Sequence, residues 1–285
     1  MIGGIIMVEV NKIPIYFVDA FTDEKFKGNP AAVCLLKQKL DDKIMQNIAA
    51  EMNLSETAFL VPLDDKPIAD SHKFSLRWFT PKVEVPLCGH ATLASAAVLF
   101  FGVGTSVNEV RFQTLSGDLI AKREGYGIIL DFPLNEPKPI DPPEELLKSS
   151  GILDYENVAF SKEAKKLLVH LKDEKHVMEL KPDYEKMKDS NPDEDMIGVI
   201  ATSLGSPPFD FVSRFFAPWV GVNEDPVTGS AHTVLTPYWS KILGKNEMTA
   251  YQASERGGKL IVRKKEDRVE LIGNAVIVLR GELSL

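Results

Sequence analysis

Short apolar runs, broken by glycine and proline, dominate this chain. Such runs read as strands. They predict strands over residues 13–19, 31–36, 57–61, 74–79, 110–113, 119–123, 127–132, 158–160, 166–171 and 209–216, with three more strand-like runs over 259–285. Residues 41–52 instead place Ile44, Ile48 and Met52 at fourfold spacing and predict a helix. Residues 184–189 predict another. The stretch 91–101 is rich in Ala, Leu and Val and has almost no polar face, so it predicts a helix buried on all sides, ended by Gly102 and Gly104. Residues 231–243 predict a helix stopped at Gly244, with an early kink at Pro237. Turns at Ser116-Gly117 and Gly125 join the middle strands into a meander. The proline-rich stretch 133–143 reads as a linker, and the mixed charges of 162–175 read as solvated surface.

The pattern repeats once. Arg77-Trp78-Phe79-Thr80-Pro81 recurs 137 residues later as Arg214-Phe215-Phe216-Ala217-Pro218, with Val83 and Val85 recurring as Val220 and Val222. Gly89-His90-Ala91 recurs 140 residues later as Gly229-Ser230-Ala231, so the second copy has a connecting turn three residues longer. An offset near half the chain indicates two equivalent halves rather than a solenoid. The expectation is an α+β fold of two pseudo-symmetric domains, 1–132 and 133–285. Each is a barrel-like bent sheet around a central apolar helix, with a cleft between them and a last strand free to return to the first half.

Composition narrows the function classes. With 285 residues, 44% of them apolar, the chain can build a sizeable core. Its net charge of −8 argues against general nucleic-acid binding. Two cysteines, Cys34 and Cys88, make no disulfide framework or zinc spacing, and His72, His170 and His176 give no metal-ligand pattern. Residues 1–10 are apolar but lack a basic flank, and no apolar run reaches ~18 residues. These features predict a soluble cytoplasmic protein with no membrane partner, and no cofactor or metal.

The two glycine turns are the strongest chemical candidates. Each opens a helix, whose first N–H groups and partial positive charge suit a carboxylate or a developing oxyanion. Gly89 and Ala91 in one turn, and Gly229 and Ser230 in the other, are therefore candidate substrate-binding residues. Glu56, in Asn53-Leu54-Ser55-Glu56-Thr57-Ala58-Phe59, sits beside apolar residues and suits a general base; Ser55 stands next to it. Asp225 precedes the second turn, and Cys88 and His90 flank Gly89. Asp19, followed by Gly28-Asn29-Pro30, can bring polar groups, Asn29 among them, to the cleft.

Taken together these segments resemble the phenazine-biosynthesis PhzF-like family, relatives of diaminopimelate epimerase. The matching pieces run from Val18-Asp19-Ala20-Phe21-Thr22 through Glu84 and Gly89-His90-Ala91-Thr92 to Glu224-Asp225-Pro226-Val227-Thr228-Gly229-Ser230-Ala231-His232, in the family's order. The resemblance implies a cofactor-independent isomerase, usually a homodimer, acting on a small anionic substrate. It puts the acid/base glutamate at Glu56, the active-site histidine at His90, the aspartate at Asp225 and the serine at Ser230. Diaminopimelate epimerase uses one cysteine from each half; here Cys88 has no counterpart near Gly229. Two alternatives stand beside the isomerase: an amino- or imino-acid racemase using Cys88, and a non-catalytic binding protein.

Overall fold

In the computed structural model, which describes residues 12–191 and 195–285, the chain forms 18 strands and six α-helices. The apolar opening at residues 1–10 lies outside the described residues. The first half runs β1 (Lys12–Ala20), β2 (Asn29–Leu35), α1 (Asp42–Met52), β3 (Glu56–Pro62), β4 (Lys73–Phe79), β5 (Glu84–Val85), α2 (Gly89–Ala97), β6 (Glu109–Thr114), β7 (Gly117–Glu124) and β8 (Gly127–Pro133). The second runs β9 (Lys138–Pro139), α3 (Glu144–Ser149), β10 (Asn157–Ser161), β11 (Lys166–His170), α4 (Glu174–Met178), α5 (Tyr184–Asp189), β12 (Gly198–Leu204), β13 (Phe211–Ala217), β14 (Val222–Glu224), α6 (Gly229–Leu243), β15 (Glu247–Gln252), β16 (Gly258–Lys264), β17 (Arg268–Gly273) and β18 (Ala275–Ser284).

The pairing scheme repeats as the sequence does. Strand β2 is parallel to β3, β3 antiparallel to β4, β4 parallel to β6, and β6, β7 and β8 form an antiparallel meander. In the second half β11 is parallel to β12, β12 antiparallel to β13, β13 parallel to β15, and β15, β16 and β17 form the meander. The meanders join where β8 pairs with β17. Beyond that seam, β9 pairs with β10, and β18 pairs with β1 at the start of the chain.

Each half of the continuous sheet wraps a helix. Helix α2 packs against β1, β2, β3, β7, β8 and β18, and every residue from His90 to Phe100 is buried. Its alanines let surrounding strands approach closely, which explains the absence of a polar face. Helix α6 packs against β11, β15, β16 and β17, and it touches α2.

Several local expectations change. Gly102 does not end the first central helix. The chain continues beyond α2 as a π-helical turn over Val98–Val103 and stops at Gly104, whose φ of 78° is left-handed. A Cβ on Gly102 would stand 3.1 Å from Ile277 and 3.3 Å from Tyr16, so that glycine serves close packing. Helix α6 carries Pro237 inside its run, as the sequence predicts. The proline's missing N–H leaves the Thr233 carbonyl open, and Asn135 fills it with its backbone N–H at 3.2 Å while its side chain donates to Thr233 Oγ1 at 2.8 Å. The supposed linker is thereby pinned to α6, and it contributes β9. Helices α3 and α4 are too short for periodicity to reveal. Lys166, within the stretch read as solvated, is 3% exposed; its ammonium donates to the Ala164 carbonyl and lies 5.6 Å above the Phe215 ring.

Candidate active site

The repeated arginines build the frame. Arg77, on β4, donates Nε and Nη2 to the two oxygens of Glu84 at 2.6 and 2.7 Å. Arg214, on β13, does the same to Glu224 at 2.7 and 2.8 Å. Each guanidinium also lies over a ring two residues on, Phe79 at 5.1 Å and Phe216 at 4.9 Å. The strand registers agree, with Phe79 opposite Glu84 and Phe216 opposite Glu224. Glu84 and Glu224 are therefore equivalent, 140 positions apart, and the matching of Val83 and Val85 with Val220 and Val222 is corrected. The longer turn lies earlier, at the 3-10 turn Pro218–Val220. Glu84-Val85-Pro86-Leu87-Cys88-Gly89-His90-Ala91 then aligns with Glu224-Asp225-Pro226-Val227-Thr228-Gly229-Ser230-Ala231. The counterpart of Asp225 is Val85, and that of Cys88 is Thr228.

These frames bring the two helix starts into contact. A Cβ built on Gly89 would stand 3.4 Å from the Gly229 Cα, and one built on Gly229 would stand 3.5 Å from the Gly89 Cα. Neither start has a side-chain cap. An α-helix leaves its first N–H groups without intrahelical partners, so two sets of donors and two positive dipole ends meet at one seam.

A buried polar cluster lies at the seam. Glu56 opens β3, directly after α1 closes at Asn53 in a left-handed conformation (φ 50°). Its Oε2 is 3.2 Å from His90 Nε2, the side chains being 17% and 6% exposed. Asn29, fully buried at the start of β2, crosses between the halves: its amide lies 2.7 Å from Asp225 Oδ1, 3.0 Å from the Val227 carbonyl and 3.1 Å from His90 Nδ1. An amide has two hydrogens. The two shorter contacts take them, which leaves His90 Nδ1 to face Cys88 Sγ at 3.5 Å. Thr228 donates its hydroxyl to Asp225 Oδ2 at 2.5 Å.

Burial and charge set the protonation states. Burial alone would pull His90 down, but the Glu56 carboxylate 3.2 Å away outweighs it and holds the imidazole well above its ordinary value. Burial, reinforced by the Glu56 charge, pushes the Cys88 thiol up to about 11, so it is a neutral thiol at pH 7. Burial raises Asp225 as well, opposed by the His90 charge and by hydrogen bonds from Thr228 and Asn29. His232, one turn into α6, is pushed by burial down to about 4, and its Nδ1 lies 2.8 Å from the Thr228 carbonyl.

Of the residues singled out in the sequence, Glu56, His90, Asp225, Asn29, Gly89 and Gly229 meet at this seam. Ala91 lies buried in the first turn of α2, and Ser55 and Ser230 are half-buried beside Glu56 and Gly229. Asp19 stands apart from the cluster. Its carboxylate accepts from the Phe26 N–H and from Arg256 Nη2, both at 2.7 Å. Arg256 also donates to the carbonyls of Gly28 and Lys27. Asp19 thus anchors the loop that delivers Asn29. Two residues of the site escaped the sequence reading. One is Arg256. The other is Gln252, fully buried, which accepts from the Thr228 N–H at 2.9 Å and donates to the Asp225 carbonyl at 2.7 Å. Both act on partners tens to hundreds of positions away, where spacing carries no signal.

Comparison with known proteins gives a consistent result. A family model described as phenazine biosynthesis-like protein matches residues 18–281. Over 289 residues the chain is 49% identical to a phenazine biosynthesis-like domain-containing protein of Pongo abelii, covering 96% of this chain and 100% of that one. It is likewise 49% identical, over 275 residues, to a Halalkalibacterium halodurans protein named an uncharacterized isomerase, covering 95% of this chain and 98% of the other. The crystal structure of a PhzF-family phenazine biosynthesis protein from Enterococcus faecalis is similar with a TM-score of 0.88 and 42% identity, over 96% of this chain and 100% of that one.

Proposed function

The chain belongs to the phenazine biosynthesis-like protein family, and from that premise we propose that it is a cofactor-independent isomerase that moves a proton on a small carboxylate-bearing substrate. One observation carries this reading. A half-buried carboxylate, Glu56, and a buried imidazole, His90, lie 3.2 Å apart at the seam of two uncapped helix starts. The isomerase name of the Halalkalibacterium relative agrees with it.

In the proposed mechanism the two halves, 1–132 and 133–285, close on the substrate. The helix starts at Gly89 and Gly229 hold its carboxylate and the negative charge that develops on deprotonation. Glu56 takes a proton from a carbon beside an unsaturated or carbonyl group. The electron pair shifts along the substrate, and the same or a neighbouring acid, after exchanging its proton with solvent, returns a proton at another carbon, so the double bond moves and nothing is gained or lost. His90 orients the Glu56 carboxylate. Asn29 and Thr228 fix Asp225 on the second half's side of the seam, and Ser55 and Ser230 stand beside Glu56 and Gly229.

A two-thiol racemase is the weaker reading. The position equivalent to Cys88 is Thr228, whose hydroxyl is committed to Asp225, and the other cysteine, Cys34, is buried in β2.

The test is incubation of the protein with metabolite pools in D₂O, followed by mass spectrometry for substrates that gain one deuterium on carbon. An isomerase gives exchange and an isomeric product. A racemase gives exchange that Cys88→Ser abolishes and Glu56→Gln spares. A binding protein retains a ligand without exchange.

A further inference from the structure

We propose that Lys166 is a positioning residue: its buried ammonium, beside the second half's counterpart of the Glu56 position, is the counter-charge of the Asp225 carboxylate. Its effect on proton transfer rests on the isomerase reading; the pairing of the two charges does not. Lys166 opens β11 and lies outside the polar cluster at the seam.

The duplication places it there. Phe79 and Phe216 are equivalent; Thr57 lies opposite Phe79, and Val199 lies opposite Phe216. One residue earlier on each strand, the counterpart of Glu56 is therefore Gly198. On the neighbouring parallel strands, Ala31 pairs with Glu56 and Lys166 pairs with Gly198. A Cβ on Gly198 would overlap the Phe215 ring, so no side chain fits at that position. The ring fills the space instead, and the Lys166 ammonium lies 5.6 Å from its centroid. Where the first half places its base, the second places an aromatic ring with a cation above it.

The ammonium is short of partners. Lys166 is 3% exposed, and its three N–H donors make one hydrogen bond among the described residues, to the Ala164 carbonyl at 3.0 Å. A buried charge is costly unless an opposite charge offsets it. Burial pulls Lys166 down to about 8, which leaves it mostly cationic at pH 7, and the Asp225 charge opposes that pull. The backbone ties the two together, since the Asp225 N–H donates to the Phe215 carbonyl at 3.1 Å. Asp225 also meets the His90 charge from α2 and the Glu56 charge from β3, with neutral donors from Thr228 and Asn29. Burial and Glu56 drive Asp225 toward the neutral acid; His90 and Lys166 hold it ionised. An ionised Asp225 has no proton to give, so the carboxylic acid that returns the proton to the substrate is Glu56.

The test follows the Asp225 carboxyl of the full chain by carbon-13 NMR through a pH titration, its signal assigned by loss in Asp225→Asn. Lys166→Met and Lys166→Gln each remove the charge, and the glutamine keeps a donor for the Ala164 carbonyl. In both, Asp225 should titrate at least about one pH unit higher than in the parent. Lys166→Arg should stay near the parent value. A packing role alone would not move this titration. On an identified substrate, the acid limb of the deuterium-exchange pH profile should move up with it in the neutral variants. An unchanged Asp225 titration in either neutral variant, once folded, overturns the proposal. A shifted titration in a protein without exchange activity would sink the isomerase reading and leave the charge pairing standing.

Discussion

A methyl group placed on Gly89 would stand 3.4 Å from the Cα of Gly229, a residue 140 positions away in the other half of the duplication. The glycines are therefore where the two helix starts touch, and this contact gives the first prediction. Alanine is favoured over glycine inside helices by roughly 0.5–1 kcal/mol. Gly89→Ala should keep a thermal midpoint close to that of the parent. Its methyl nevertheless occupies the seam, and turnover should fall by about 10²-fold or more. Calorimetry beside a proton-exchange assay separates the two effects. A variant as active as the parent would remove the seam from the site.

The bidentate pairs supply the second prediction. Arg214 and Glu224 are 11% and 18% exposed, so removing one partner leaves a largely buried charge. Arg214→Met should cost about 3 kcal/mol, read by urea unfolding. Arg214→Lys should recover only part of that, since an ammonium cannot make the forked contact. Arg77→Met should cost a comparable amount, because Arg77 makes the same fork to Glu84 and a further bond to Asp42 at 2.6 Å.

Much of the frame was legible in the sequence, and the limits have physical causes. Glycine, proline and arginine mark backbone turns and forked ion pairs, so the duplication stood out. The valines misled the matching because a strand face accepts any β-branched residue; Arg–Glu geometry decided the register instead. Glu56 and the glycine turns were visible because each lies next to its own element boundary. Gln252 and Arg256 were not, since their roles exist only once β15 and the following turn pack against Asp225 and Asp19. Asp19 reads as a cleft residue because Asn29 follows it closely, and in the structure its carboxylate pairs with Arg256.

Arg256 gives the third prediction. Asp19 is 4% exposed, and burial raises its carboxyl despite the bond from Phe26 and the charge of Arg256. Arg256→Ala strips that carboxylate of its cation and should destabilise the protein by about 2–3 kcal/mol at pH 7. The deficit should shrink as pH falls through the raised Asp19 value, because the protonated acid no longer needs the cation. Unfolding curves at pH 7 and pH 4.5 test this. An unchanged deficit would mean that the Arg256 bonds to Gly28 and Lys27, rather than charge, hold the loop.

His90 gives a pH dependence of opposite sense. Its folded value lies well above 6.5. Its contribution is therefore fully present below about pH 6.5 and is lost as pH rises through the folded value. The stability difference between the parent and His90→Gln should be largest near pH 6 and decline toward alkaline pH. Denaturant titrations from pH 6 to pH 9.5 follow it. A difference that does not vary with pH would mean that His90 is uncharged in the folded protein.

The central claim is that Glu56 moves the proton. Its most direct measurement compares the parent and Glu56→Gln for deuterium incorporation at the reactive carbon of an identified substrate in D₂O. The amide keeps the size of the side chain and cannot accept the proton. Exchange should fall by about 10²–10⁴-fold, with the thermal midpoint and ligand binding retained. Exchange at the parent rate in a folded Glu56→Gln protein would contradict the account.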